Sequence, residues 1–447
     1  MECVKKSMTA NPIPMPALNP LPDRIKENGQ AKPMFWPEIP YKVEDLGIPR
    51  SSVVDLILRR LYAVGTGTLE SLSTTLKLSW QVVETVFHQL RQQQLLDVKG
   101  MIGSDYTFTL TNSGRAMASE RVAISSYAGP APVSIQDYHR STRAQSAHVS
   151  VNRATLRRAF ADLVVTDEML DQLGPSLISQ KSLFLYGPTG NGKTSLAERM
   201  LRVYTDRILI PHAVEVDGQI IMLYDPVVHR KVDHPVEDLD PRWVCCARPF
   251  ITVGGELVPS MLELRLDESS GVYAAPFQMK ANNGILLIDD FGRQVISPRE
   301  LLNRWIVPLD RRVDYLSLRY GVKFQIPFEV MVVFSTNLDP QDLADEAFLR
   351  RIQNKIFVDV VSPATFDEIF RRVVAERNLV CEPGVGDYFR EMCLRLNDEL
   401  RACYAADFCN IMLSVGEYEN RAMKITPAEL ERAAALYFTK TRRFVDK

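Results

Sequence analysis

Apolar positions fall into two spacings along the chain, and the changeovers between them mark its parts. From Pro49 the spacing is helical: Val53, Val54, Leu56, Ile57, Leu58 and Leu61 form one face, 69–76 gives a second short helix, and Val82, Val83, Val86, Phe87, Leu90 and Leu95 a third. Two β-type runs follow at 96–98 and 106–110, joined by the turn residues Gly100, Gly103 and Ser104. Thr111 or Asn112 then stands where another helix needs its N-cap. Residues 1–45 lack any such period. Pro12, Pro14, Pro16, Pro20, Pro22, Pro33, Pro37 and Pro40 remove donors and deny helix continuity there, which predicts a disordered, extended tail. Residues 123–148, rich in Ser, Ala, Pro and Gly, read as a linker.

Beyond the linker, helical runs at 154–163 and 168–173 lead through Gly174-Pro175 to Ser182-Leu183-Phe184-Leu185-Tyr186, a continuous apolar run of buried-strand length. Two more such runs lie at 285–288 and 330–336. Alternation about Asp217-Gly218 predicts a hairpin over 213–222, with further strands over 256–268 and 271–277. A second hairpin, 314–318 with 322–326, flanks Arg319-Tyr320-Gly321. Helical spacing at 363–377, 385–401 and 427–438 closes the chain.

The stretch Gly187-Pro188-Thr189-Gly190-Asn191-Gly192-Lys193-Thr194 fits G-x-x-x-x-G-K-[ST] between a strand run and the helix-compatible run that begins at Ser195. Glycines let backbone N–H groups curl around phosphate oxygens, Lys193 reaches the β/γ-phosphates of a nucleotide, and the Thr194 hydroxyl can sit on Mg²⁺. The helix opening there adds its positive dipole end. The run Ile285-Leu286-Leu287-Ile288 ends in Asp289-Asp290. A parallel strand beside the phosphate loop delivers Asp289 to hold the metal through water and Asp290 to orient an attacking water. Lys193 and Asp289 are 96 positions apart, so an insertion lies between them.

Composition narrows the partners. The 447 residues, 46% hydrophobic, suffice for two to three domains, and a formal net charge of −2 gives no global attraction to nucleic acid or anionic membrane. Residues 41–127 carry nine basic and eight acidic side chains, and the candidate reading helix over 79–93 offers Arg91 against Glu84. Protein contact is the favoured role there, with DNA contact the alternative. Arg140, Arg143, Arg153, Arg157 and Arg158 form a local basic cluster. No apolar run reaches membrane-span length and 1–40 lacks the apolar core of a signal peptide, so a cytoplasmic location is expected. The seven cysteines form no C-x-x-C pair, which leaves them as free thiols without a zinc chelate.

In order, the phosphate loop, the strand ending in Asp289-Asp290, Val330 to Asn337 and Asp345-Glu346-Ala347-Phe348-Leu349-Arg350-Arg351-Ile352 resemble the AAA+ ATPases over about residues 150–440. The hairpin before Val330 is similar to that of the pre-sensor-1 hairpin group, MoxR-like proteins included. Residues 46–122, with Leu110-Thr111-Asn112-Ser113-Gly114-Arg115, resemble a winged-helix domain. The resemblance implies an α/β fold: a P-loop AAA+ three-layer parallel sheet over 149–361 with β-hairpin insertions, a helical lid over 362–447, and a small α+β winged-helix domain in front. It implies ATP held by residues 187–195, Ser195 included, and Mg²⁺ at Thr194 and Asp289. Asp290 and Asn337 would act on the lytic water, and Arg350 and Arg351 would reach a neighbour's γ-phosphate in a homo-oligomeric ring that remodels a protein client. Two departures stand out: Asp290 is one methylene shorter than the family's glutamate, and Ala406 stands where relatives carry a sensor 2 arginine, leaving Arg401 or Arg421 as substitutes. These keep open a DNA-binding regulator of the same class, or a switch that binds nucleotide without hydrolysing it.

Overall fold

The computed structural model describes residues 35–103, 105–146, 151–233, 238–343, 346–397 and 399–438; of the disordered tail expected over 1–45, residues 1–34 lie outside them, as do Ser104 and Asp345, whereas its last part is ordered, with Val43 2% exposed in the core of the helices that follow. In chain order the elements begin with α1 (Arg50–Val64), β1 (Thr66–Thr68), α2 (Leu69–Leu76), α3 (Trp80–Gln92), β2 (Leu96–Ile102), β3 (Asp105–Leu110), α4 (Asn112–Ile124), β4 (Val133–Ser134) and α5 (Ile135–Ala144). Next come α6 (Arg153–Ala159), α7 (Asp167–Ser179), β5 (Leu183–Tyr186), α8 (Lys193–Met200), β6 (Arg207–Pro211), β7 (Ala213–Val216), β8 (Gln219–Met222), β9 (Trp243–Ala247), β10 (Phe250–Val253), β11 (Arg265–Asp267), β12 (Val272–Ala274), α9 (Phe277–Lys280) and β13 (Ile285–Ile288). The chain continues with α10 (Pro298–Arg304), α11 (Ile306–Arg311), β14 (Val313–Ser317), β15 (Lys323–Pro327), β16 (Met331–Thr336), α12 (Pro340–Leu343), α13 (Glu346–Leu349) and β17 (Asn354–Phe357). It ends in α14 (Pro363–Glu376), β18 (Val380–Cys381), α15 (Val385–Asn397), α16 (Cys403–Tyr418), β19 (Lys424–Ile425) and α17 (Pro427–Tyr437). One five-stranded sheet has the order β10-β13-β16-β5-β17 and another β11-β12-β8-β7-β4.

Two compact units divide the described residues: one takes those up to 146 with 204–287 and 294–332, the other 151–203, 288–293 and 333–438. In the first, α1 to α4 enclose the sheet β1-β3-β2 around a core where Phe87 lies 4.7 Å from Phe108. Thr111 caps α4 by accepting the Gly114 N–H, which decides between the two candidate caps. β2 runs through Gly100, expected in a turn, with an irregularity of register between Val98 and Gly100. The expected linker holds β4, paired with β7, and α5, whose Arg140 pairs with Asp137. The predicted hairpins form as β7–β8, turning at Asp217 and Gly218 with positive φ, and β14–β15. Tyr273 is 2% exposed and its hydroxyl accepts the Arg319 N–H, so it packs within this unit. The Arg242 guanidinium, 3% exposed, binds both Asp240 oxygens and the carbonyls of Leu46 and Pro132.

In the second unit β5 lies between β16 and β17, parallel to both. Gly174-Pro175 does not end a helix, since α7 runs on to Ser179 with Pro175 inside it. Arg153 and Arg157 of the basic cluster bind Asp171 and Asp167 of α7, so much of that charge is paired locally. The lid packs α14, α15, α16 and α17 around Phe366, Phe389 and Phe408, whose adjacent ring centroids lie 5.2 and 4.9 Å apart. The helix expected over 385–401 stops at Asn397, and α16 was not expected. The parallel sheet with its phosphate loop, the helical lid and the small α+β module in front give the α/β P-loop fold anticipated from the sequence.

Candidate nucleotide site

The loop after β5 is shaped by its glycines. Gly187 has φ 136° and a Cβ there would lie 2.3 Å from the Val358 carbonyl oxygen; at Gly190, φ 83°, a Cβ would lie 2.6 Å from Cys403 Sγ. Left-handed backbone and close neighbours exclude side chains at both positions. Gly192, in the left-handed region, is the N-cap of α8 and supplies no side-chain cap, so the first N–H groups of the helix stay oriented for an anion. Lys193 is 8% exposed, and its Nζ donates to the carbonyls of Gly187 at 2.8 Å and Pro188 at 2.9 Å. Burial lowers its pKa below the ordinary lysine value, and the carboxylates of Asp289 and Asp290 offset part of that.

The acidic strand arrives where the motif requires it. Thr194 Oγ1 donates to Asp289, 2.9 Å from Oδ2 and 3.1 Å from Oδ1. Asp290 is exposed, in left-handed backbone at φ 48°, with its N–H given to Asp289 Oδ1. The next residue ties this turn to β16: Phe291 N–H donates to the Ser335 carbonyl, and Thr336 Oγ1 donates to the Phe291 carbonyl, both at 2.7 Å. Thr336 pairs with Tyr186, so Asn337 leaves the sheet level with Gly187. A hydroxyl beside a carboxylate is the hard oxygen set that suits Mg²⁺, with phosphate and water completing its shell. The residues present therefore fit a nucleotide and its metal.

Arg350 and Arg351 follow α13. They precede β17, whose Asn354 pairs with Leu183 at the far end of β5 from the loop. Four residues at about 3.3 Å each separate that end from Gly187. The backbone just before β17 thus lies toward the end of β5 opposite the phosphate loop.

A cavity of about 1070 Å³ opens beside Gly190, Asn191, Gly192 and Ser195. Its apolar lining includes Val164, Val165, Ile369 and Val373. Arg372 of α14 holds one wall by donating to the carbonyls of Ala161 and Leu163. Ala406 lines the cavity, so position 406 offers a methyl group, and the lid cation that lines the cavity is Arg372. Of the two substitutes, Arg401 lies next to the loop, its Cδ 3.7 Å from a Cβ built on Gly190, whereas Arg421 binds Glu419 and Glu429 of the lid. The wall at 162–166 and the helical start of α16, where the resemblance places only Ala406 at the site, are not read from the sequence. Neither has a motif, and their role comes from where the chain returns in space.

A domain of unknown function (DUF8689) matches residues 362–436, the lid. No curated protein matches the chain in sequence. Among solved structures the chain is similar to NtrX from Brucella abortus in complex with ATP, at 12% identity and TM-score 0.38, over 66% of this chain and 59% of that one. It is similar to the RuvB Holliday junction branch migration motor of Thermotoga maritima, at 11% identity and TM-score 0.35, over 65% of this chain and 72% of that one. It is also similar to the FIGL-1 AAA domain, at 14% identity and TM-score 0.35, over 68% of this chain and 89% of that one. The fold assignment rests on the chain's own features: a glycine-shaped loop leaving a strand that pairs in parallel on both sides, an acidic strand end bonded to that loop, and a helical unit against it, which together make an α/β P-loop fold.

Proposed function

We propose that this chain binds ATP with Mg²⁺, hydrolyses it slowly as a homo-oligomer, and couples that cycle to remodelling of a protein client taken up through the winged-helix-like module at 46–122. The observation that carries the reading is the bond from Thr194 to Asp289 beside the buried Lys193. In this reading the loop N–H groups and the Lys193 ammonium bind the β- and γ-phosphates, and Thr194 with Asp289 holds the metal. Bound Mg²⁺ neutralises charge that develops on the phosphate oxygens. Asp290 orients the attacking water and accepts its proton, helped by Asn337, and its short side chain is the reason turnover is slow. Arg350 and Arg351 supply positive charge to the γ-phosphate of the next copy.

A second reading, a nucleotide-operated switch, is favoured by the methyl group of Ala406 in the cavity and by Asp290. Turnover measured across protein concentration separates the two. An ATPase completed in trans shows specific activity that climbs with assembly and vanishes in Lys193→Ala. Nucleotide binding without phosphate release at any concentration, unchanged in Asp290→Asn, would leave the switch.

A further inference from the structure

The helices of the lid differ in how their first turns are satisfied. α14 is capped by its own Ser362, which accepts the Thr365 N–H, and α17 by Thr426, which accepts the Glu429 N–H. α16 has Ala402 at its N-cap position and no side-chain cap of its own. Its N-terminal donors go to the phosphate loop: Cys403 N–H donates to the Gly190 carbonyl at 2.9 Å, and Ala402 N–H donates to Asn191 Oδ1 at 3.3 Å. Asn191 is 7% exposed, lines the cavity, and its Nδ2 has no hydrogen-bond partner. A buried amide donor left unsatisfied is costly unless a further group completes it.

We infer that Asn191 is a positioning residue that couples the nucleotide to the lid, its Oδ1 capping α16 across 211 positions of sequence while its Nδ2 donates to an oxygen of the bound nucleotide. This rests on the reading of residues 187–194 as a nucleotide site. With the cavity empty, the amide is anchored at one end only. Occupancy anchors the other end, fixes the side chain and holds the start of α16 against the loop. Ala406 supplies no cation to report the phosphates, and Arg372 donates to the carbonyls of Ala161 and Leu163; the amide of the loop itself carries the report. The asparagine is suited to the task because one planar group carries both an acceptor and a donor. Aspartate keeps the acceptor and loses the donor; alanine loses both.

The test is amide hydrogen exchange at residues 402–405 of the full chain, with and without ADP and Mg²⁺, alongside ADP affinity by equilibrium dialysis and a thermal midpoint as a check on folding. In the native protein ADP is expected to slow exchange there by about fivefold, the worth of one net hydrogen bond. Asn191→Asp is expected to keep the ADP-free exchange rates and lose the slowing. Asn191→Ala is expected to exchange faster without ADP and to show no slowing with it. Equal slowing by ADP in the native protein and in Asn191→Asp overturns the coupling, as does a native protein that binds ADP with no change at 402–405. A native protein that fails to bind ADP in dialysis sinks the nucleotide site and this inference together; native binding abolished by Lys193→Ala leaves the site standing whatever α16 does.

Discussion

Thr194 Oγ1 and Asp289 Oδ2 lie 2.9 Å apart although 95 positions separate them in the chain. The pair brings the end of the phosphate loop and the end of the acidic strand into one oxygen-rich corner. Removing either oxygen should therefore show first in the metal dependence. Asp289→Asn and Thr194→Val are each expected to raise the Mg²⁺ concentration needed for half-maximal turnover by roughly 10- to 100-fold, the range seen when metal-site partners are lost. Thr194→Ser, which keeps the hydroxyl, is expected to stay near the native value. Titrating turnover against Mg²⁺ at saturating ATP checks all three.

Lys193 gives a pH dependence with a definite sign. Burial lowers its pKa in the free protein, and a phosphate chain favours the ammonium form and raises the pKa again. A proton is then taken up on binding, at pH values between the lowered and the restored pKa. Nucleotide affinity is accordingly expected to be level at low pH and to fall as pH rises through that window below 10.5. Lys193→Arg keeps its charge throughout and should flatten the profile, even if its overall affinity drops. Calorimetric titrations in buffers of different ionisation heat would read the proton uptake directly.

The trans role proposed for Arg350 and Arg351 predicts complementation. The double variant Arg350→Ala, Arg351→Ala is expected to lose about 10³-fold or more in turnover while binding nucleotide as before, as when an arginine finger is withdrawn. Asp290→Asn alone should also be inactive. Mixed in equal amounts, the two should recover activity, because roughly a quarter of randomly formed head-to-tail interfaces pair an intact site with intact arginines. A mixture as inactive as its components would remove the trans role.

Arg242 predicts a stability effect away from the nucleotide. It is 3% exposed and Asp240 1%, and together they tie Leu46 and Pro132 to the strand β9. Arg242→Leu leaves a buried carboxylate unpaired and is expected to cost about 3–5 kcal/mol. Replacing both residues, Arg242→Leu with Asp240→Leu, should return part of that. Thermal unfolding of the three proteins followed by tryptophan fluorescence would show it.

The glycine loop, the acidic strand, the buried strand at 331–336 and both predicted hairpins were legible because each carries its signal locally. Glycines with positive φ, a run of apolar residues and an Asp-Gly turn obey short-range rules that hold whatever the rest of the chain does. The run over 168–173 was cut short at Gly174-Pro175 because proline usually ends a helix; in α7 the surrounding contacts outweigh that preference. Helix α5 lay hidden in a stretch whose serines and prolines resemble a linker.

Residue types along the chain thus determined what chemistry is on offer: a lysine and threonine after a glycine loop, two adjacent aspartates, an asparagine past a buried strand. What tertiary structure alone decided is which of them meet. Parallel pairing of β5 with β16 and β17 brings Asn337 out of the sheet beside the loop and starts β17, at Asn354, from the opposite end of β5. Helix α16 could not be read from its own sequence because the group that caps it, Asn191, sits 211 positions earlier. A helix start satisfied from so far away leaves no local trace, since hydrogen bonding requires only that the two groups be close in space.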